Sequence, residues 1–327
     1  AARVMVQDVD DARANEQKQK LLNDNIIYMK EHGSRSVRIR IRATIKAKKE
    51  FEEVGRKVRV HLPVPKICQQ VSNIKILASS PEIAYTAPEN APQRTVYFET
   101  ELQPAQEFMV EYAYDYHVDY VELDPAKAAA KQPDFCLEEQ APHIMFTPYL
   151  RELRDELAGD ETNPVILARR FYDFVTTKVM YSYMREYFTI DCIPEYCAVN
   201  QKGDCGVQAL LFITLCRMSG IPARWQSGLY ATEFYTGCHD WAQFYIEPYG
   251  WVFADPSFGG SAWRSGNTER WNYYFGNLDI FRMPANSEIQ MDFMPEKKWL
   301  RGDPIDNQRG EFEYEDYGLL YSQLEVN

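Results

Sequence analysis

Gly203-Asp204-Cys205-Gly206-Val207-Gln208-Ala209-Leu210-Leu211-Phe212 is the stretch that decides the fold. The Gly-Asp pair stops the preceding segment, and a helix-period apolar run begins at the cysteine. The spacing therefore predicts a helix over 205–219, ended by Gly220 and Pro222. Cys205 then sits in the first helical turn, where unpaired amides and the helix dipole favour an anion. A thiolate is such an anion, and it is the nucleophilic form of cysteine.

Working outward, Arg217 to Arg224 reads Arg-Met-Ser-Gly-Ile-Pro-Ala-Arg, a helix end followed at once by a strand start. Strand-like runs are expected at 223–230, 239–247 and 250–255. Upstream, 147–158 and 163–180 carry apolar residues at helical spacing, with Pro164 suited to a first turn. Residues 181–203 read as irregular. So does 256–327, which is rich in aromatics, Gly, Asn and Pro.

The first third has a different period. Residues 36–47 alternate Val37, Ile39, Ile41, Ala43 and Ile45 against Arg and Lys, which predicts a half-buried strand. Further strands are expected at 55–63, 70–79, 94–101 and 106–120, punctuated by Pro81, Pro88, Pro92 and Pro104. The expected organisation is a helical segment at 1–35, an antiparallel β-sandwich at 36–124, a linker at 125–144 and a second domain at 145–327. The fold class is α+β.

Composition excludes several roles. The chain has 327 residues and 45% hydrophobic content, enough for a full core. Against 36 basic residues stand 48 acidic ones, a net charge of -12. Such a field repels nucleic acid and anionic membranes, so neither is expected as a partner. No run approaches the ~18 apolar residues of a spanning helix. Seven cysteines are an odd number and leave at least one unpaired within the chain. That count, with no visible signal peptide, points towards the cytoplasm; the start at Ala1 is also compatible with a removed leader.

Two residues complete the chemistry of Cys205. His239 opens His-Asp-Trp-Ala-Gln-Phe-Tyr, and Asp255 closes Trp-Val-Phe-Ala-Asp-Pro after the turn Pro248-Tyr249-Gly250. In a hairpin with a three-residue loop the two share one face, with Asp255 opposite Gln243. A thiol needs a nearby base to react at neutral pH, and a carboxylate on the other ring nitrogen fixes the tautomer. The amide of Cys205 would donate to an oxyanion, with Gln201 or Tyr196 as candidates for the second donor. Cys192, Cys197, Cys205 and His239 have the residue types of a zinc set, but their spacing suits zinc poorly. No metal or cofactor is expected.

Gly-Asp-Cys at a helix start, Arg-x-x-Gly-Ile-Pro-Ala-Arg at its end, His-x-Trp-x-x-Phe-Tyr and Gly-Trp-x-x-x-Asp-Pro-Ser occur in that order. Together they resemble the transglutaminase-like superfamily. The resemblance implies a papain-like core and a triad of Cys205, His239 and Asp255. Microbial relatives often carry an N-terminal β-sandwich. Two departures bear on activity. Gln243 stands where the family often has Glu. The upstream Trp that cross-linking animal enzymes place near the oxyanion is missing, since the first tryptophan is Trp225. The implied reaction is cysteine-dependent acyl transfer at a peptide or protein amide, hydrolysis rather than cross-linking. A protein-glutamine transglutaminase, or a non-catalytic peptide- or glycan-binding module on the same fold, are the alternatives.

Overall fold

The computed structural model describes residues 9–327, with side chains from residue 16 onward. Residues 1–8 of the expected N-terminal segment lie outside this range. Helix α1 (Val9–His32) leads into β1 (Ser34–Ala47), and Gly33 between them takes a φ of 75°, a conformation costly for any residue with a side chain.

The sandwich is built from β1, β2 (Lys57–Pro63), β3 (Val71–Ser80), β4 (Tyr85–Thr86), β5 (Thr95–Glu101) and β6 (Phe108–Asp119). Its arginines face water along β1, while Tyr112, Tyr114 and Tyr116 of β6 are buried. Helices α2 (Pro148–Ala158), α3 (Pro164–Lys178), α4 (Ile193–Asn200) and α5 (Cys205–Met218) follow, with the short parallel pair β7 (Met180–Tyr181) and β8 (Lys202–Gly203) between them. Thr147, Asn163 and Asp204 accept backbone amides at the starts of α2, α3 and α5, so three of these starts are fixed by side-chain caps.

Next come β9 (Ala223–Ala231), β10 (Thr236–Ile246), β11 (Gly250–Ala254), α6 (Pro256–Arg264), α7 (Thr268–Tyr273), β12 (Phe275–Gly276) and β13 (Arg282–Asn286). They form a five-stranded sheet in the order β12-β11-β10-β9-β13. Every residue of α5 from Cys205 to Cys216 is buried, so this helix is enclosed on all sides rather than by one face. Phe212 meets Phe244 of β10 edge-on at 5.5 Å, which locks α5 to the sheet. The architecture is α+β, a papain-like helix-and-sheet core joined to an antiparallel sandwich.

Helices α4, α6 and α7 fall in stretches expected to be irregular, β10 begins three residues before His239, and two further differences bear on the site. The hairpin pairs Ile246 with Gly250 and Gln243 with Phe253, so the turn is Glu247-Pro248-Tyr249. Continuing that register puts Asp255 opposite Trp241 rather than Gln243, two residues nearer His239. Proline and glycine mark a turn but do not fix which residue pairs first.

The second difference is at the C-terminus. β14 (Glu311–Tyr314) pairs with β2, and β15 (Leu324–Val326) pairs with β1. The sandwich sheets are therefore β15-β1-β6-β3 and β14-β2-β5-β4, each completed from a segment that reads in sequence as part of the second domain. Strands of three and four residues are too short to show a period. Tyr114 Oη donates to the Arg282 carbonyl at 2.9 Å, and Gln70 Nε2 to Gln226 Oε1 at 2.7 Å. These bonds tie the sandwich to the five-stranded sheet.

Candidate active site

Cys205 lies at the first position of α5, directly after its cap. Asp204 Oδ1 accepts from the Val207 amide at 3.1 Å and also from the Tyr187 hydroxyl. The carboxylate that caps α5 therefore already occupies amides that would otherwise face the sulfur. Cys205 is 5% exposed. It opens onto a cavity of about 680 Å³ between the sandwich and the helical core. Its Sγ donates to Asp240 Oδ2 at 3.0 Å. Burial, then the charges of Asp240 and Asp204, push the thiol well above the ordinary cysteine value. In this arrangement the helix start does not make a thiolate. Burial and two carboxyls outweigh the dipole.

Asp240 is itself buried. Its other oxygen, Oδ1, accepts from Gln308 Nε2 at 2.6 Å. Burial, then the neighbouring charge of Asp204, raise its carboxyl well above the usual range. Burial also pushes Asp204 up to about 6. Gly206 makes this close packing possible. A Cβ there would lie 2.4 Å from the Tyr187 hydroxyl, 2.7 Å from Trp225 and 3.0 Å from Asp240 Oδ2.

His239 precedes Asp240 on β10, and successive strand residues point to opposite faces. Asp240 takes the side of Cys205. His239 takes the side of Asp255, where His239 Nε2 and Asp255 Oδ2 are 2.7 Å apart and both residues are buried. Asp255 acts twice. Oδ1 caps α6 by accepting from the Phe258 amide at 2.9 Å, and Oδ2 also meets Arg282 Nη1 at 2.8 Å. Arg282 in turn forks onto Asp279, Nε to Oδ1 at 3.1 Å and Nη2 to Oδ2 at 2.6 Å.

The electrostatics follow from this chain of charges. Burial alone would raise Asp255; the charges of His239 and Arg282, with the His239 and Phe258 hydrogen bonds, outweigh it and hold the carboxyl below its ordinary range. His239 moves down. Burial is the largest cause, and the Arg282 charge adds to it against the pull of Asp255. The ring is thus kept neutral near pH 7, fixed by a carboxylate at Nε2.

The structure brings His239 and Asp255 together and gives Cys205 a different partner. His239 lines a second cavity of about 410 Å³. The two cavities share Tyr181, Tyr235 and Cys238 as common wall, so sulfur and imidazole stand on adjoining spaces. Tyr196 lies within α4 and Gln201 caps its end with φ 48°; neither lines the cavity of Cys205. Cys192 donates to the Met145 carbonyl at 3.7 Å and Cys197 is buried in the core; neither lines the cavity of Cys205.

Several site residues carry no sequence signal. Arg282 and Asp279 stand in an aperiodic stretch. Asp240 looks like an intervening strand residue. Asp306 accepts from Trp225 Nε1 (3.1 Å) and Ser227 Oγ (3.0 Å), and Gln308 supports Asp240; both come from the aperiodic C-terminal region. A buried acidic residue beside a cysteine's strand partner could have been suspected only from the apolar residues around it.

Comparison with known proteins bears on the fold that holds these residues. Residues 151–256 match the family model described as the Transglutaminase-like superfamily. By this match, residues 151–256 resemble the transglutaminase-like superfamily. No curated protein matches the chain. Among solved structures, a candidate cysteine protease from Cytophaga hutchinsonii aligns over 68% of this chain and 78% of its own, at TM-score 0.52 and 17% identity. The periplasmic domain of TgpA from Pseudomonas aeruginosa covers 68% of this chain and 76% of its own, at TM-score 0.38 and 15% identity. The first likeness shows a shared fold and, at such identity, nothing beyond the fold. Among the described residues, no helix is long and apolar enough to cross a membrane.

Proposed function

We propose that this chain catalyses cysteine-dependent acyl transfer at an amide or peptide bond, with Cys205 as nucleophile, His239 as acid and base, and Asp255 as the group that orients the imidazole. The observation that carries this reading is the buried His239–Asp255 pair at 2.7 Å, set against a cavity that adjoins the one holding Cys205.

The reaction begins when the sulfur exchanges Asp240 for the imidazole across the shared wall. The Cys205 thiol proton passes to His239, and the sulfur attacks the carbonyl carbon. The carbon–nitrogen bond breaks as His239 returns the proton to the leaving amine. Water then attacks the thioester, regenerating the thiol and releasing a carboxylic acid. The Cys205 amide is the first oxyanion donor. The second is proposed to come from the segment before it, where Tyr196 and Gln201 were the candidates. Hydrolysis is favoured over amine transfer because no tryptophan precedes the cysteine.

The Cys205–Asp240 bond favours a second reading, a peptide- or glycan-binding module without turnover. One experiment separates the readings. The protein is incubated with a peptide library, with and without a primary amine, and products are weighed by mass spectrometry. Cleavage or deamidation supports hydrolysis, and amine incorporation supports transglutamination. Retention of peptide with no mass change, or turnover that survives Cys205→Ala, contradicts the catalytic reading.

A further inference from the structure

The cavity that holds His239 is lined by cations from three separate helices. Lys18 comes from α1, Arg264 from α6 and Arg270 from α7, with the hydroxyls of Ser257 and Ser261 beside them. Arg270 is only 3% exposed. Its side-chain partner is neutral: Nη1 donates to Asn23 Oδ1 at 3.3 Å. Arg264 donates to the Val179 carbonyl at 3.5 Å. The Lys18 ammonium lies over the rings of Tyr230 and Phe258, 5.2 Å from each centroid. Among the described residues, no carboxylate pairs with any of the three. Arg282 behind them differs, being neutralised by Asp255 and Asp279.

This is an unusual arrangement in a chain with 48 acidic and 36 basic residues. A buried cation without a counter-charge is costly; Arg270 is the buried one, while Lys18 is half-buried and Arg264 exposed at the cavity mouth. Lys18 is disfavoured as a charged group chiefly by burial and by the charge of Arg282, against which the charges of Asp279 and Asp255 pull only in part. Burial likewise weighs against the charge of Arg264 and Arg270. The fold keeps these costs at the wall of an open cavity rather than in packed core.

We infer that the His239 cavity is a carboxylate-binding subsite, with Arg270 as its buried anchor and Arg264 and Lys18 at its rim. Guanidinium groups match the planar fork of a carboxylate, and the partly desolvated setting strengthens the pairing. The inference rests on the acyl-transfer reading only in naming the ligand a substrate: an amide compound carrying a carboxylate close to the bond that breaks. The carboxylate comes either from a chain terminus or from an acidic side chain.

The test uses the full chain with Cys205→Ala, so that no turnover is possible. Three probes are titrated by calorimetry at low salt: acetyl-Ala-Gly-Ala with a free terminal carboxylate, the same peptide as its terminal amide, and acetyl-Ala-Glu-Ala amide. At least one carboxylate peptide is expected to bind tenfold or more tightly than the neutral one. Preference for the first assigns the site to a chain terminus, and preference for the third to a side chain. Arg270→Gln should remove at least tenfold of that advantage, and added salt should weaken it. Because Arg270 is buried, Arg264→Gln at the exposed rim is measured as well, with a loss of severalfold expected. Equal binding of all three peptides, no binding by either carboxylate peptide at millimolar concentration, or an advantage untouched by both arginine changes would overturn the inference. Catalysis by the unaltered chain is scored separately, so charge-selective binding without turnover sinks only the acyl-transfer reading, and turnover without charge selectivity sinks only the subsite.

Discussion

Asp240 holds the Cys205 thiol at 3.0 Å from the strand position next to His239. The sulfur thus rests on a carboxyl, one residue out of step with the imidazole that the acyl-transfer account assigns to it. Its raised pKa is the direct consequence, since a negative or shared-proton neighbour disfavours a thiolate. Replacing Asp240 by Asn keeps the shape and removes the ionisable carboxyl. Alkylation of Cys205 by iodoacetamide at pH 7 should then be faster than in the unaltered chain, by roughly tenfold for each unit that the thiol pKa falls. Mass-spectrometric mapping of the labelled cysteine follows the rate; an unchanged or slower rate would show that Asp240 does not control the thiol.

The His239 pair predicts a pH dependence. In the acyl-transfer account His239 acts as a base only when neutral, and its pKa lies below the ordinary 6.5, first through burial and then through Arg282. The acid limb of the rate profile should therefore fall below pH 6.5, with activity kept at neutrality. Arg282→Met removes a cation that depresses the ring, so the limb should move to higher pH in whatever activity remains. A profile that does not move would disconnect Arg282 from the imidazole.

The same change tests stability. Arg282 neutralises two buried carboxylates, Asp255 and Asp279. Removing one member of a buried ion network costs about 3–5 kcal/mol, because the remaining charges stay buried. Chemical denaturation of Arg282→Met should show a loss of that order at pH 7. Asp255 has a depressed pKa, so its contribution is present above its unfolded value of 3.8 and fades as pH falls below it. The penalty for Arg282→Met should accordingly shrink in acid.

Asp204 predicts the opposite sign. Its carboxyl is raised from 3.8 to about 6, chiefly by burial. A group whose folded pKa is raised stabilises the fold while protonated, and stability declines as pH climbs from 3.8 through 6. Asp204→Asn retains a good helix cap and cannot ionise. It should melt higher than the unaltered chain at pH 8, by at most about 3 kcal/mol in stability, and the advantage should vanish below pH 4. A lower melting point at pH 8 would mean that the charged cap is worth more than its burial costs.

Gly206 predicts a steric effect. Alanine there would drive a methyl group against Tyr187, Trp225 and Asp240. The helix itself tolerates alanine better than glycine, by about 1 kcal/mol. Overpacking typically costs about 1–3 kcal/mol and should dominate. Thermal melting of Gly206→Ala should fall; a rise would place the open space elsewhere.

The chain announces its architecture through period. The alternation of 36–47 appears as β1, and the apolar run from Cys205 appears as α5. His239 and Asp255 were legible because strand-like runs carry the one and end at the other. The partner of the sulfur was not, because which face of β10 lies against the start of α5 is set by long-range strand–helix packing that local pattern does not encode. Arg282, Asp306 and Gln308 were hidden for another reason. They reach the site from segments without period, held by long-range hydrogen bonds that local pattern does not encode. The return of 311–326 to the sandwich is equally long-range, and its short strands have no hydrophobic rhythm.

The central claim is tested most directly by trapping the acyl-enzyme. The full chain is mixed with p-nitrophenyl acetate, quenched in acid within seconds, digested and mapped by mass spectrometry. The account predicts an acetyl group on the peptide containing Cys205, lost in Cys205→Ala and formed much more slowly in His239→Asn. Acetylation confined to other residues, or a Cys205 that never carries the group, contradicts it.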